Sequence, residues 1–371
     1  MKVPPFCPRR SCPQHWIDSS HPTRWWSKAG HYRCAREGLV QRFVCKQCGH
    51  RFSESSFSID YFAKRRISYR RVLGLLTSSV SIRATARLLH TSPGAVTSRI
   101  TRLARQALAV HASLGQSFAL DEPLVADGFE SFSVSQYCPN NFNLLVGSRS
   151  QYVYSLTVAT LRRSGRMTAA QRMRRQALER IDRADSGELA LRFSELLETA
   201  TDLWQSVAPA ARVLLTDCHL VYPRALAQIP LGAVTHHRIS SRLARTTTNR
   251  LFSVNYIDRE IRKDLAEHHR QTVCFARNAA LSLQRMWIYL VHHNYCKDYR
   301  ISPRCRLTHA EQAGVDHTLL ARRLRHWLTR RAFLSRTVVS RPMLRAWMAM
   351  VHTPLSADRV NRRLTPAFSY A

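Results

Sequence analysis

The chain has 371 residues, with 57 Lys and Arg against 24 Asp and Glu, and its formal net charge is +33. Such an excess favours a polyanionic partner, so nucleic acid is the first candidate. A hydrophobic content of 45% excludes a disordered basic tail, and no apolar run approaches the roughly 18 residues that cross a bilayer. The first residues lack an apolar stretch of signal-peptide length. We therefore expect an intracellular protein of two or three domains, with cysteines present as thiols or metal ligands.

The charge is unevenly distributed along the sequence. Residues 1–115 carry +16 and residues 281–371 carry +12, whereas residues 116–280 carry only +5 because they hold 16 of the 24 acids. An enzyme that acts on DNA or RNA through bound cations must attract phosphate and yet keep a local pocket of carboxylates. The distribution indicates such an enzyme, although solvated helix faces explain many of these acids.

Two closely spaced cysteine pairs lie near the amino terminus. Cys7 and Cys12 are separated by four residues, and Cys45 and Cys48 by two. This spacing predicts a closed structural zinc site with tetrahedral thiolate ligands, in a zinc ribbon over residues 1–60. The long gap between the pairs predicts a hairpin with an enlarged loop. Four other side chains are rival ligands: Cys34, His15, His21 and His31. Free reduced thiols are the alternative.

Residues 61–115 have apolar positions at helical spacing. Such positions recur at i, i+4 and i+7 in 82–89 and again in 96–103, and between them Ser92 suits an N-cap and Pro93 the first helical position. A helix, a short turn and a second helix are the layout of a DNA-binding helix-turn-helix. We expect an exposed face of the second helix to contact DNA through Thr97, Ser98, Arg99, Arg102 and Arg105. A helical hairpin acting only as a linker is the alternative.

Residues 116–295 combine strand and helix patterns. Strands are predicted at 124–134, 141–147, 151–163, 211–217 and in the string AVTHHRI. A polar helical insert at 168–206 precedes the fourth strand, and helices run from about 254 to 293. An RNase H-like domain needs this order, because carboxylates from its first strand, fourth strand and a later helix hold two divalent cations. One cation activates the attacking water or 3′-hydroxyl and the other stabilises the leaving oxygen. Oxygen ligands select Mg²⁺ or Mn²⁺.

Two aspartates lie at the strand positions of such a site. Asp127 interrupts an apolar strand, where an unpaired buried carboxylate is unfavourable. Asp217 ends the fourth strand, although it is equally well explained as a cap for a helix that begins near Pro223. Because the strand order connects the two, we predict that both are ligands of the catalytic magnesium.

The protein resembles bacterial insertion-sequence transposases of the DDE type, in the group that joins a zinc ribbon and a helix-turn-helix to a catalytic domain. The matching strings, in order, are CPRRSC, QRFVCKQCGHRFS, SIRATARLL, LVADGFESF, VLLTD, VNYIDREIRKDL, RQTVCFARN and HHNY, over roughly residues 7–295. The resemblance implies binding of double-stranded DNA at terminal inverted repeats, with metal-dependent strand cleavage and transfer into target DNA. It also implies a homo-oligomer on DNA, a cytoplasmic location at the nucleoid, and Asp127 and Asp217 in the first two catalytic positions.

The third catalytic position departs from the family pattern. The resemblance places Asn255 where such enzymes usually carry Glu, with Arg262 seven residues later. Asn can lend a carbonyl oxygen to a metal, while Asp258 lies one helical turn on and Glu260 is also near. Either of these acids can therefore serve instead of Asn255. We predict Asn255 as the third position and keep Glu260 as the acid that serves if Asn255 does not. If no residue completes the site, the protein is a transposase-derived DNA-binding protein or regulator without catalysis; a nuclease of the same fold is a further alternative.

Residues 296–371 predict basic amphipathic helices whose arginines hold the phosphate backbone. Trp327 and Trp347 are expected in the core rather than stacked on bases, and the last twenty residues have no periodicity. The predicted fold is multidomain α+β: a zinc β-ribbon (1–60), a helix-turn-helix (61–115), an RNase H-like α/β catalytic domain (116–295) and a basic helical carboxy-terminal region.

Overall fold

The computed structural model describes residues 3–17, 24–35, 37–229, 234–270, 272–356 and 364–365. Within these ranges the protein forms eleven α-helices and ten β-strands, so the fold is of mixed α and β type. No helix in the described ranges combines the length and the apolarity that crossing a membrane requires.

The amino-terminal part is a three-stranded antiparallel sheet of β1 (Trp26–Cys34), β2 (Gly38–Cys45) and β3 (Arg51–Ser53). The predicted hairpin between the cysteine pairs is present, but the prediction of an enlarged loop is wrong. Cys34 pairs directly with Gly38, whose φ of +73° allows the tight turn. Much of the sequence between the cysteine pairs forms the long strands β1 and β2 instead.

Three helices follow the ribbon: α1 (Tyr69–Leu76), α2 (Ile82–Leu88) and α3 (Pro93–Leu114). The predicted start of α3 is confirmed. The Ser92 hydroxyl accepts a hydrogen bond from the Ala95 main-chain nitrogen at 3.2 Å, and Pro93 occupies the first turn. The Ser92 hydroxyl thus satisfies one of the backbone N–H groups that a helix leaves without an internal partner.

The largest sheet has five strands: β4 (Leu124–Phe132), β5 (Pro139–Gly147), β6 (Val153–Thr160), β7 (Val213–Thr216) and β8 (Thr235–Arg238). Their spatial order is β6-β5-β4-β7-β8. β5 is antiparallel to β4 and β6, whereas β4, β7 and β8 are parallel to one another. All five predicted strands are therefore present, and the parallel pairing of β4 with β7 makes the first and fourth neighbours.

Helices pack against this sheet, and some of them connect its strands in the sequence. Those between β6 and β8 are α4 (Ala169–Ile181), α5 (Glu188–Trp204) and α6 (Val221–Leu226). After β8 come α7 (Phe252–Asp264) and α8 (Ala279–Cys296). α7 packs against β4 and β5, and the nearly wholly buried α8 packs along α3. From α8, the Asn294 amide oxygen accepts a hydrogen bond from the Val153 backbone nitrogen at 3.0 Å. Its amide nitrogen donates to the Val153 carbonyl oxygen at 2.9 Å, and the two bonds together fasten β6.

The carboxy-terminal elements are short: β9 (Asp298–Arg300), β10 (Cys305–Thr308), α9 (His309–Gln312), α10 (His317–Leu324) and α11 (Arg341–Trp347). They pack onto the earlier helices, α10 against α3 and α11 against α3, α5 and α8. Trp327 and Trp347 are buried, which confirms their predicted place in the core. Most of the last twenty residues lie outside the described ranges.

The buried side chains form two hydrophobic clusters. A small one surrounds the amino-terminal cysteines, and a large one contains described residues from Ile59 to Leu364. Consequently the predicted boundary between residues 60 and 61 lies close to a division between cores. The predicted boundaries at 115 and 295 do not separate hydrophobic cores, because α3, the five-stranded sheet and α11 share one.

Candidate functional site

The four predicted cysteines, Cys7, Cys12, Cys45 and Cys48, meet at one point with their Sγ atoms within 4.8 Å of one another. The Sγ–Sγ distances are 3.7 Å from Cys7 to Cys48 and 3.8 Å from Cys12 to Cys45. Four sulfurs at about 2.3 Å from a tetrahedral ion lie about 3.8 Å apart, whereas a disulfide needs about 2.0 Å. The cluster therefore could bind a metal such as zinc.

The surroundings of the cysteines favour a bound cation. Cys45 is the last residue of β2. The main-chain nitrogen of Gly49, whose φ is +68°, donates a hydrogen bond to the Cys45 carbonyl oxygen at 2.9 Å. Burial raises the pKa of the Cys7 and Cys12 thiols. Because thiolates are the ligands of zinc, a cation is what would hold these buried groups in their ionised form.

The rival ligands lie outside the cluster. Nδ1 of His15 lies 2.7 Å from the Cys7 carbonyl oxygen and Nε2 lies 2.8 Å from the Ser335 hydroxyl, so both ring nitrogens are engaged. Cys34 and His31 lie on β1 and do not join the four sulfurs. His21 falls outside the described residues.

The predicted DNA-contacting face of α3 is not exposed. Arg99, Arg102 and Arg105 are only 4%, 9% and 5% exposed. Their guanidinium groups donate hydrogen bonds to the main-chain carbonyl oxygens of Arg65, Ile59 and Leu364, respectively. Arg99 also lies 3.6 Å from the Asp60 carboxylate. The prediction that these three arginines contact DNA is wrong, because segments distant in sequence enclose α3 on the side that its periodicity leaves polar.

The start of α3 remains accessible. Thr97 and Ser98 are half-buried beside the exposed Gly94, and the Thr97 hydroxyl donates to the Pro93 carbonyl oxygen at 3.0 Å. Two exposed arginines of α2 were not predicted as contacts: Arg83 and Arg87. Their helical spacing was the signal that could have identified them. Contact between DNA and Thr97 or Ser98 stays a prediction.

Asp127 and Asp217 lie level with each other at the centre of the sheet. The parallel strands β4 and β7 pair Val125 with Leu215, and two residues further along each strand come the two aspartates. Because side chains alternate between faces with a period of two, both carboxylates leave the sheet on the same face as that pair. The strand pairing thus brings together the two acids that the sequence predicted.

The environment of Asp127 opposes its ionisation. Burial and, to a smaller extent, the charge of Asp217 together raise the pKa of Asp127 to about 6, against a hydrogen bond from the Gly128 main-chain nitrogen at 2.7 Å. The Tyr222 hydroxyl donates to the same Asp127 oxygen, Oδ1, at 3.4 Å. Asp217 accepts a hydrogen bond from the His219 main-chain nitrogen at 2.8 Å. Both carboxylates are therefore oriented by donors on the loops and helix beside them.

Helix α7 adds a third carboxylate, that of Asp258. Burial and the charge of Asp127 raise the pKa of Asp258 to about 8, against the opposing charges of Arg262 and Arg245. The residue keeps some exposed surface, but its Oδ1 is shielded from solvent and has no hydrogen-bond partner in the described part of the protein. An unpaired buried carboxylate oxygen is unfavourable, so Asp258 presents an oxygen donor that a cation would satisfy.

Arg262 holds α7 in this position. Its guanidinium group donates to the main-chain oxygens of Glu130 at 3.2 Å and His268 at 3.3 Å, and it stacks over the Phe129 ring at 4.5 Å. Since Glu130 and Phe129 belong to β4, these contacts fix α7 relative to the strand that carries Asp127. Arg262 therefore positions Asp258 and does not itself offer a ligand.

Glu260, predicted as the acid that serves if Asn255 does not, lies in an ion-paired group. Its carboxylate lies 2.7 Å from the Nζ atoms of Lys263 and Lys297 and is committed to that ion-paired group. Two residues along a helix correspond to about 200° of rotation, so Glu260 points away from the side of α7 that carries Asp258. Asn255, three residues before Asp258, is rotated by only about 60° from it. A role for Asn255 stays a prediction.

The three aspartates form an open cluster. In the described part of the protein, the four cysteines are the one group of three or more ligating residues with the close spacing of a formed metal site. We define Asp127, Asp217 and Asp258 as the carboxylate cluster; their charges interact without such close spacing. Three carboxylates close enough for their charges to interact are suited to metal ions and to phosphate chemistry through them.

No family model matches the sequence, and no curated protein matches it. Function is therefore inferred from the chemistry of the site.

We expect the purified full-length protein to contain one zinc ion per molecule, measured by elemental analysis. Cys45→Ala should lose the zinc and unfold the β1–β3 sheet, because binding of a structural zinc supplies much of the folding free energy of so small a unit. Cys34→Ala, which removes a half-buried thiol outside the cluster, should keep both the zinc ion and the folded β1–β3 sheet. A protein without zinc, or a ribbon that stays folded after chelation, would contradict this assignment.

The pKa of Asp258 predicts a pH dependence of stability. Asp titrates near 3.9 in an unfolded polypeptide, so between about pH 4 and pH 8 the folded protein holds a proton that the unfolded state has lost. Stability therefore falls as pH rises through this window. In buffer free of Mg²⁺ and Mn²⁺, Asp258→Asn should raise the free energy of unfolding, increasingly from about pH 5 to pH 8, in denaturant titrations. The exposed Asp202→Asn is the control, and an effect of Asp258→Asn that is constant with pH would show that the carboxyl group is already ionised.

Proposed function

We propose that the protein is a transposase of the DDE type, which cuts and joins DNA with divalent cations held by Asp127, Asp217 and Asp258. The observation that carries this proposal is the convergence of three under-compensated carboxylates. Two lie level on adjacent parallel strands, and the third projects from a helix packed against the same sheet.

The order of the elements supports an RNase H-like interpretation of residues 116–295. Asp127 lies on the first strand of the five-stranded sheet, Asp217 directly follows the fourth, and Asp258 lies on a later helix. The inserted helices α4 and α5 stand between the third and fourth strands. This is the sequence of elements that the resemblance to DDE transposases implies.

The donor set suits Mg²⁺ or Mn²⁺, because all three residues offer oxygen. Bound cations supply two functions in such sites, activation of the attacking water or 3′-hydroxyl and stabilisation of the leaving oxygen. The protein's contribution is to hold the ligands in place: Tyr222 orients Asp127, and Arg262 fixes the helix that carries Asp258. The raised pKa values of Asp127 and Asp258 mean that protons compete with cations, so activity should fall at low pH.

Recognition of the DNA ends belongs, in this proposal, to the amino-terminal third. The half-buried Thr97 and Ser98 at the start of α3 and the exposed Arg83 and Arg87 on α2 are the residues that would contact the terminal inverted repeats. Two ends are brought together when protomers associate on DNA, by analogy with transposases of this kind.

A DNA-binding protein without catalysis is the second candidate. Asn255, in place of the acid expected at the third position, is the observation in its favour. Asp258 weighs against it, since this residue supplies a third carboxylate one helical turn further on.

The test is nicking and joining of end-containing duplex DNA in Mg²⁺ or Mn²⁺. Asp127→Asn, Asp217→Asn and Asp258→Asn should each lower the rate by about 10³-fold or more, because metal ions contribute several kcal/mol at the transition state. DNA affinity should change little. Glu260→Gln, with zinc content and circular dichroism as folding checks, should retain activity.

Two outcomes would count against parts of this proposal. If the wild-type protein binds the DNA tightly but neither nicks nor joins it, the protein is the non-catalytic alternative. If Asp258→Asn stays active while Asn255→Ala is inactive, Asn255 is the third ligand.

A further inference from the structure

A cleft of about 1010 Å³ opens between the second half of α3 and the segment from Arg322 to Val338, and Phe6 of the cysteine-bearing segment also lines it. None of its lining residues belongs to the carboxylate cluster. We call it the arginine cleft.

The lining of the arginine cleft has one sign of charge. It contains six arginines: Arg322, Arg323, Arg325, Arg330, Arg331 and Arg336. No acidic residue is present among the described lining residues. The adjoining cleft, which shares Arg330, is lined by Glu37, Glu54 and Asp60 as well. Positive charge without acids is therefore a local property of the arginine cleft and not only a consequence of the overall composition.

Two of the six arginines are fixed by contacts within the protein. Arg331 stacks on the rings of Phe333 at 4.3 Å and Tyr61 at 4.9 Å. Burial lowers the pKa of Arg331 only to about 10, so it is charged at neutral pH. Arg336 stacks on Phe6 at 4.3 Å. These two groups give the cleft a rigid cationic wall.

The cysteine cluster supports that wall. His15, whose Nδ1 lies against the Cys7 carbonyl oxygen, reaches Ser335 with Nε2 at 2.8 Å. Arg336 donates hydrogen bonds to the main-chain oxygens of His15 and Ile17, the latter at 3.1 Å. The position of the wall thus depends on the fold of the cysteine-bearing segment.

The other four arginines are accessible to solvent. Arg322, Arg323, Arg325 and Arg330 are exposed, and none forms a salt bridge with a described residue. The lining also includes the neutral polar side chains of Ser113 on α3 and of Gln116 just after the end of that helix. Guanidinium groups bind phosphate oxygens in bidentate geometry, and neutral hydrogen-bonding groups do not repel a sugar-phosphate backbone.

We propose that the arginine cleft binds the sugar-phosphate backbone of double-stranded DNA without regard to base sequence. The choice of DNA as the polyanion rests on the proposed function. The arginine cleft then provides affinity for phosphate in a protein whose five-stranded sheet carries acidic residues of the carboxylate cluster. Its contacts position the duplex and do not read bases.

The test uses the full-length protein and duplex DNA of arbitrary sequence, without divalent cations, so that no cleavage occurs. Affinity is measured against salt concentration for wild type and the triple variant Arg322→Gln, Arg323→Gln, Arg325→Gln. Each lost phosphate contact lowers the slope of log affinity against log salt by about 0.9. The triple variant should therefore lose up to about 2.7 in slope and bind at least about tenfold more weakly near 0.15 M salt.

The matched control is Arg172→Gln, Arg174→Gln, Arg180→Gln on α4, whose three arginines are also exposed and outside the salt bridges of the described residues. It changes the net charge equally and should retain most of the slope. Equal losses in both triples would mean that only net charge matters, and an unchanged slope in the cleft triple would remove the cleft from DNA binding. Both results overturn the proposal, as does cleft-dependent binding that is tighter for RNA or anionic vesicles.

The two proposals fail separately. A cleft triple that loses slope in a protein that never cuts DNA retains the arginine cleft and rejects the transposase. If the protein cuts DNA and its cleft triple variant binds DNA like wild type, the transposase proposal is retained and the arginine-cleft proposal is rejected.

Discussion

Parallel pairing of β4 with β7 is the constraint on which the site depends. Because Val125 lies opposite Leu215, Asp127 and Asp217 come level on one face of the sheet, and their negative charges interact. Arg262 then fixes α7 on β4, which adds Asp258 to the same region. Gathering like charges in a buried place is unfavourable without cations: burial first, and then the charge of the neighbouring carboxylate, raises the pKa of Asp127 and of Asp258. A site that is strained when free of cations is suited to bind them.

The sequence predicted most of the elements and two members of the carboxylate cluster. Strand patterns, the Ser92 cap and the cysteine spacing are local signals, and local interactions formed the corresponding features. The choice among Asn255, Asp258 and Glu260 depended on the rotation of one helix and on where Lys297, 37 residues away in the sequence from Glu260, places its charge. Neither the rotation of the helix nor the position of Lys297 can be predicted from the spacing of residues alone. The loop in the ribbon was misjudged because strand length and loop length cannot be separated by counting residues between cysteines.

The predicted DNA contacts of the arginines on α3 were also wrong, for a physical reason. A net charge of +33 indicates a polyanionic partner, but it does not distinguish arginines that face solvent from those that bind the protein's own carbonyl oxygens. Arg99, Arg102 and Arg105 bind carbonyl oxygens of the protein itself and connect α3 to distant segments. Arg322 and Arg323, by contrast, are exposed to solvent. The exposed arginines that phosphate can reach consequently lie on the carboxy-terminal segment rather than along this face of α3.

The central claim is that Asp127, Asp217 and Asp258, and not Glu260, form a site for divalent cations. Mn²⁺ binding to the full-length, zinc-loaded protein, followed through the electron paramagnetic resonance signal of free Mn²⁺, tests it directly. Wild type and Glu260→Gln should bind alike, whereas Asp127→Asn and Asp258→Asn should bind at least about tenfold more weakly, since each loses a carboxylate ligand. Wild-type affinity in Asp258→Asn, together with lost binding in Glu260→Gln or Asn255→Ala, would contradict it.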